Sequence, residues 1–195
     1  MIIGITGTLG AGKGTVAKYL VERHHFMYLS VRNFLAAEVL RKGLIVNRDT
    51  ITATANDLRA KHGPGWIVEQ LLAEALGQTK ALRQRDVVIE SIRGVGEAQI
   101  LKSKDAALWA VDADVHIRYK RIVGRASETD AVSFEKFVED EKREWDNADP
   151  SKQNLKAVIA MSDIVFQNNG TPEELFVQVE KALKQRTLPA GRQVD

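Results

Sequence analysis

A glycine-rich segment near residue 10 is the feature that most constrains the fold. Residues 7–15 read GTLGAGKGT, and they follow an apolar, isoleucine-rich run at 1–6. An amphipathic helical pattern begins at Lys13. A strand, a glycine loop and a helix in this order form the context in which G-x-x-x-x-G-K-[ST] binds phosphate, through backbone N–H groups and the positive helix end. The segment therefore predicts a loop that holds a nucleoside triphosphate.

The loop departs from the general motif after its lysine. Gly14 stands where a hydroxyl residue is usual, and Thr15 comes one position later, about 100° further round the helix. A dinucleotide-binding turn is the main alternative, but it does not explain Lys13 and requires an acidic residue where the second strand ends in Ser30. The predicted nucleotide-binding residues of the loop are Gly7, Thr8, Leu9, Gly10, Ala11, Gly12, Lys13, Gly14 and Thr15.

Strand and helix patterns alternate along the rest of the chain. Apolar runs predict strands at 1–6, 26–30, 86–91, 106–114 and 163–168. Helical patterns fall at 13–25, 31–42, 49–61, 66–77, about 115–124, from 134, at 151–161 and from 172. Such alternation implies parallel strands joined by right-handed crossovers. We expect a three-layer α/β fold with a five-stranded parallel sheet flanked by helices.

Composition narrows the classes of function. The 195 residues contain no cysteine, which excludes disulfides, thiolate zinc sites, iron–sulfur clusters and cysteine nucleophiles. The net charge of +2 does not suggest a bulk nucleic-acid binder. No apolar run approaches the roughly 20 residues of a membrane span, and the N-terminus lacks the pattern of a signal peptide. We expect a cytoplasmic protein, a monomer or a weak dimer, that binds neither nucleic acid nor membrane.

The glycine loop and two further segments resemble one known family. The loop pattern G-x-x-G-x-G-K-G-T, the run RIVGR at 121–125, and Glu90 and Arg93 around the third strand's end together resemble the adenylate kinase family of nucleoside monophosphate kinases. The likeness runs from residue 1 to about 184. It extends to small, poorly characterised P-loop kinases and, near 162–175, to dephospho-coenzyme A kinases. The chain departs from the family at Arg32 and Asn33, which replace Gly-Asp, and at Ala36, which replaces a helical arginine.

The resemblance implies ATP and Mg²⁺ as donor and cofactor, and a nucleoside monophosphate as acceptor. Phosphoryl transfer needs several cations around the moving group. The predicted catalytic residues are Lys13, Arg93, Arg121, Arg125 and Arg143; Arg121, Asn169 and Gly170 would lie against the donor nucleotide. The predicted acceptor-binding residues are Ser30, Arg32, Arg93 and Glu97, and the predicted metal-site residues are Thr15 and Glu90. Glu97 is alternatively an exposed residue at a helix start with no function.

The same likeness implies a domain organisation. Residues 1–184 would form a single P-loop kinase domain, with 31–77 as a helical acceptor-binding insertion and about 125–132 as a short lid. Residues 185–195 would be a flexible tail. Dephospho-coenzyme A kinase is the alternative enzyme, although the acidic end of that family's second strand is missing. A nucleotide-gated switch or assembly ATPase is the alternative from another class, and it would have no use for Arg93 or the insertion.

Overall fold

The parallel sheet predicted from the sequence is present in the computed structural model, which describes residues 1–77, 86–124 and 133–187. Its strands are β1 (Ile2–Gly7), β2 (Met27–Ser30), β3 (Val87–Glu90), β4 (Ala107–Asp112) and β5 (Ile164–Gln167). They pair in parallel in the order β2-β3-β1-β4-β5. The fold class is therefore confirmed as a P-loop α/β fold, with β1 in the middle of the sheet.

Eight of the nine helices in the described residues lie close to the predicted positions, and the helix at Val95–Ser103 was not predicted. They are α1 (Lys13–His24), α2 (Val31–Arg41), α3 (Arg48–His62), α4 (Trp66–Gly77), α5 (Val95–Ser103), α6 (Val115–Val123), α7 (Phe134–Trp145), α8 (Leu155–Ala160) and α9 (Pro172–Thr187). The last helix continues three residues past 184, so the start of the predicted tail is helical. The proposed lid at 125–132 lies outside the described residues. No helix in the described part of the chain is long and apolar enough to cross a membrane.

Two hydrophobic cores form because neighbouring residues of a strand point to opposite faces of the sheet. Ile3, Ile5 and Trp109 pack on one face against α1 and α9. Ile89 and Leu108 pack on the other face against α2 to α5 and α8. The sheet is thus covered on both sides, as a parallel sheet requires.

The strand register brings the predicted site to one edge of the sheet. Ile5 pairs with Glu90, and Ser30 also pairs with Glu90. The glycine loop leaves β1 at Gly7, next to Val111 of β4. The carboxyl ends of β1, β2 and β3 therefore meet where ligands of open parallel sheets bind.

The turn before α4 packs closely on α5. A Cβ placed on Gly96 would lie 2.6 Å from the carbonyl carbon of Pro64 and 2.5 Å from its Cβ. Real Cβ atoms do not approach backbone this closely, so one of the two elements must move. We expect Gly96→Ala to lower the free energy of unfolding by about 1–3 kcal/mol, as overpacking does.

Urea denaturation of the purified variant measures this change. Gln99→Ala is the matched control, since Gln99 is an exposed residue of the same helix and its replacement should stay within about 0.5 kcal/mol. Equal stability of the two variants would show that Pro64 and Gly96 are not in tight contact.

Candidate functional site

The glycine loop between β1 and α1 has a backbone that only glycine adopts easily. Gly7, Gly10 and Gly12 have φ angles of 131°, 80° and 106°. A Cβ on Gly10 would also lie 2.5 Å from the carbonyl oxygen of Arg118 in α6. The loop is therefore shaped both by its own dihedral angles and by the helix packed against it.

Lys13 lies inside the loop. Its Nζ donates hydrogen bonds to the carbonyl oxygens of Gly7 (2.9 Å) and Thr8 (2.7 Å), and the residue is buried. The ammonium group is thus held within the loop, where it can reach phosphate oxygens by exchanging partners.

Three side chains hold the loop from outside, and sequence reasoning did not identify their role. Asn168 donates from Nδ2 to the carbonyl oxygen of Ala11 (2.7 Å), and Thr8 Oγ1 donates to Asp112 Oδ1 (2.6 Å). Arg118 donates from Nη1 to the carbonyl oxygen of Leu9 (3.2 Å). Two of these bonds hold loop carbonyls and the third holds the Thr8 side chain, so the loop is fixed by β4, by α6 and by the segment after β5.

Arg118 is a buried structural residue rather than part of an exposed helix face. It forms two hydrogen bonds to the Glu141 carboxylate, at 2.5 and 3.1 Å, and its guanidinium lies 5.6 Å from the ring centre of Phe137. Because Glu141 belongs to α7, Arg118 links that helix to the glycine loop.

The loop after β5 brings together the residues predicted for the donor nucleotide. Arg121 donates to the carbonyl oxygens of Asn168 (2.9 Å) and Gly170 (3.5 Å). Asn169 Oδ1 accepts from the backbone N–H of Asp114, the N-cap residue of α6. Arg121, Asn169 and Gly170 therefore form one group, and their contact with a nucleotide stays a prediction.

One cavity of about 1070 Å³ joins the glycine loop to the predicted acceptor residues. Its lining includes Lys13 and Thr15 on one side, and Ser30, Arg32 and Arg93 on the other. Ser30 also caps α2, since its Oγ accepts from the backbone N–H of Asn33 at 3.2 Å. A donor and an acceptor could thus meet within a single cavity.

Glu90 lies at the end of β3, across from the start of α1. A Cβ on Gly14 would be 4.0 Å from Glu90 Oε1, and both Glu90 and Thr15 line the cavity. Among the described residues, no three carboxylate or histidine side chains cluster as a metal site. Thr15 and Glu90 are nevertheless oxygen ligands of the kind Mg²⁺ takes, directly or through water, beside phosphates.

Tyr28 contacts Glu90 and was not identified from the sequence. Its hydroxyl donates to Glu90 Oε2 at 2.6 Å. Partial burial, together with this hydrogen bond, raises the pKa of Tyr28 to about 12. At neutral pH the phenol is therefore protonated, and it restrains the carboxylate as a hydrogen-bond donor.

Arg93, just past β3, is ion-paired with Glu144 of α7 and lines the cavity. Burial lowers the pKa of Arg93 to about 10, and the positive charges of Arg48 and Arg59 act in the same direction. The guanidinium remains charged at neutral pH. It lies in a basic neighbourhood to which α3 contributes two arginines that the sequence reading missed.

The expectation of an exposed Glu97 is wrong. Glu97 is fully buried, and its Oε1 accepts from Arg59 Nε (3.0 Å) and Nη2 (2.7 Å). Its Oε2 accepts from the backbone N–H groups of Arg93 and Gly94, each at 3.0 Å. Both oxygens are engaged by the protein, so Glu97 holds the wall of the cavity and does not read an acceptor base.

Arg143 also differs from its predicted role. It pairs with Asp49 (3.2 Å) and Asp140 (3.4 Å) and is not part of the cavity lining. The reason is the orientation of α7, whose Glu144 rather than Arg143 faces Arg93. Arg125, the remaining predicted catalytic residue, lies outside the described residues.

Comparison with protein families gives a match over most of the chain. The model described as AAA domain matches residues 3–146. A UPF0200 protein of Methanococcus maripaludis strain C7 is 32% identical over 185 residues, which are 94% of this chain and 96% of that protein. A UPF0200 protein of Thermococcus kodakarensis is 25% identical and covers 93% of this chain and 95% of its own length.

Solved structures share the fold. The crystal structure of TT1252 from Thermus thermophilus has a TM-score of 0.59 at 22% identity, and covers 96% of this chain and 98% of its own. Shikimate kinase from Aquifex aeolicus has a TM-score of 0.57 at 14% identity, and covers 97% of this chain and all of its own. At these identities the likeness shows a P-loop kinase-like fold and leaves the substrate open.

The support of the loop by Asn168 can be tested by stability. Asn168→Asp replaces the amide that donates to Ala11 with a carboxylate that cannot donate. Because the group is buried, we expect the free energy of unfolding to fall by about 1–3 kcal/mol in a urea titration at neutral pH.

Asn169→Asp is the matched control. Its side chain only accepts a hydrogen bond, from the backbone of Asp114, and a carboxylate can still accept it. We expect a change within about 0.5 kcal/mol. A larger loss at position 169 than at 168 would contradict the assignment of the two roles.

Proposed function

Since the chain belongs to the AAA domain family and to the UPF0200 family, we propose that it is an ATP-dependent phosphotransferase that uses Mg²⁺ and phosphorylates a nucleoside monophosphate. The observation that carries the proposal is the single cavity lined by the glycine loop and by Arg93. A nucleotide hydrolase or switch needs the loop alone. A kinase needs an anion-binding group facing the loop across a space of this kind.

The glycine loop would bind the donor. Its N–H groups and the start of α1 would hold the β-phosphate, and Lys13 would exchange its bonds to Gly7 and Thr8 for phosphate oxygens. Arg121, Asn169 and Gly170 would contact the donor base. Thr15 and Glu90 would hold Mg²⁺, directly or through water, and the bound ion would neutralise charge on the β- and γ-phosphates.

The acceptor would enter from α2 and α3, within the proposed insertion at 31–77. Arg93 would orient its phosphate with a guanidinium fork, and Arg32 and Ser30 line the same part of the cavity. An acceptor phosphate oxygen then forms a bond to the γ-phosphorus as the bond to the β–γ bridging oxygen breaks. The reaction yields ADP and a nucleoside diphosphate.

A product assay tests this function. The purified protein is incubated with Mg-ATP and each of a panel of ribo- and deoxyribonucleoside monophosphates, with dephospho-coenzyme A as a further acceptor, and the products are separated by chromatography. A diphosphate formed from one base family supports the proposal. Phosphorylated dephospho-coenzyme A alone, or free phosphate released equally with and without acceptors, would refute it.

The role of Arg93 gives a sharper prediction. We expect Arg93→Ala to raise the KM for the acceptor by about 10- to 100-fold, because a charged hydrogen bond to phosphate is lost, with the KM for ATP within about twofold. Glu144→Gln is the matched control, since it removes the partner of Arg93 and leaves the guanidinium in place. Initial rates measured at varied concentrations of acceptor and of ATP give the KM for each substrate separately. Loss of ATP affinity with an unchanged acceptor KM would contradict the assignment.

A further inference from the structure

Arg59 is a buried arginine with spare hydrogen-bonding capacity. It lies on α3, is 2% exposed, and lines the cavity. Nε and Nη2 both donate to Glu97 Oε1, whereas Nη1 has no hydrogen-bond partner among the described residues. A buried donor without a partner is unfavourable by about 1–3 kcal/mol, and in native proteins such a group calls for an explanation, such as a bound ligand, ion or water.

Glu97 cannot supply the missing partner. Its second oxygen is already engaged by the N–H groups of Arg93 and Gly94. The carboxylate therefore fixes the guanidinium plane of Arg59 through two of its nitrogens and leaves the third, Nη1, for another acceptor. A planar guanidinium held in this way is pre-organised for an oxyanion.

Arg59 is also adjacent to Arg93. A Cβ on Gly94 would lie 3.2 Å from Arg59 Nε, so the guanidinium packs directly on the residue that follows Arg93. Arg48, at the start of α3, lines the same part of the cavity and pairs with Asp140 at 2.8 Å. Buried and partly buried cations gathered at one cavity wall favour a ligand with concentrated negative charge.

We propose that Arg59, held by Glu97, binds the acceptor phosphate together with Arg93. The acceptor anion is thus held from α3. The inference rests on the proposed function and assigns the acceptor's anionic end to a specific pair of guanidinium groups. It makes a phosphate or another compact oxyanion a required feature of the acceptor.

Arg59→Lys tests the proposal, because lysine keeps the charge and a bond to Glu97 but lacks the fixed third nitrogen. We expect the KM for the acceptor monophosphate to rise at least about tenfold, with the KM for ATP within about twofold. Arg41→Lys is the matched control: Arg41 pairs with Glu38 on α2, is exposed, and does not line the cavity. It should leave both parameters unchanged.

A second variant removes the buried pair as a whole. Circular dichroism at the assay temperature shows whether Arg59→Lys is folded. If it is not, the double variant Arg59→Met with Glu97→Gln is used instead. Removing both charges of a buried pair is tolerated better than leaving one charge unpaired. The same rise in acceptor KM is expected. An acceptor KM within twofold of the native value in a folded variant overturns the proposal.

Inorganic phosphate separates this inference from the proposed function. If the native protein phosphorylates no acceptor, the proposed function fails. The inference is then tested by calorimetry, in which phosphate is titrated into protein saturated with Mg²⁺ and a non-hydrolysable ATP analogue. Phosphate binding at least about tenfold weaker in Arg59→Lys than in the native protein and in Arg41→Lys supports it. Equal binding in all three, or no binding in the native protein, overturns it.

Discussion

The buried carboxylate of Glu97 joins the two halves of the cavity wall. One oxygen holds Arg59 of the helical segment α3, and the other accepts from the backbone at Arg93 and Gly94, where the chain leaves the sheet. Both partners of the Arg59–Glu97 pair are almost fully buried. Desolvation makes such a pair a weak source of net stability, yet loss of one partner is strongly destabilising. This contact therefore links α3 to the segment that follows β3, in addition to the apolar packing of α3 in the core.

Helix α7 has a comparable linking role. Asp140, Glu141 and Glu144 pair with Arg48, Arg118 and Arg93, which belong to α3, to α6 and to the segment after β3. One acidic helix thus contacts two arginines of the predicted acceptor side, Arg48 and Arg93, and also Arg118, which supports the glycine loop. A rotation or shift of α7 would change the distances between its carboxylates and all three arginines, and with them the electrostatic interactions.

The features predicted from the sequence are those encoded locally. The strands, the glycine loop and the helix starts follow from short patterns, and Thr171 and Glu174 form the reciprocal cap that their spacing indicates. The contacts of Arg59 with Glu97 and of Asn168 with Ala11 could not be predicted, because each joins segments far apart in the chain. For Glu97 a local signal existed: Gly94 and Glu97 have capping-box spacing, which indicates a carboxylate turned toward the backbone. Arg143 was misassigned because the sequence does not fix the orientation of α7 relative to the cavity.

The bonds between Lys13 and the carbonyl oxygens of Gly7 and Thr8 have a consequence for affinity. An anion that takes this ammonium from a carbonyl replaces a good hydrogen bond within the protein, so only the difference between old and new partners contributes to binding. Weakly basic anions gain little from such an exchange. A polyphosphate gains more, because its charge also interacts with the loop N–H groups and the helix end. If the loop binds phosphate as proposed, competition with its own carbonyls would favour anions of high charge density.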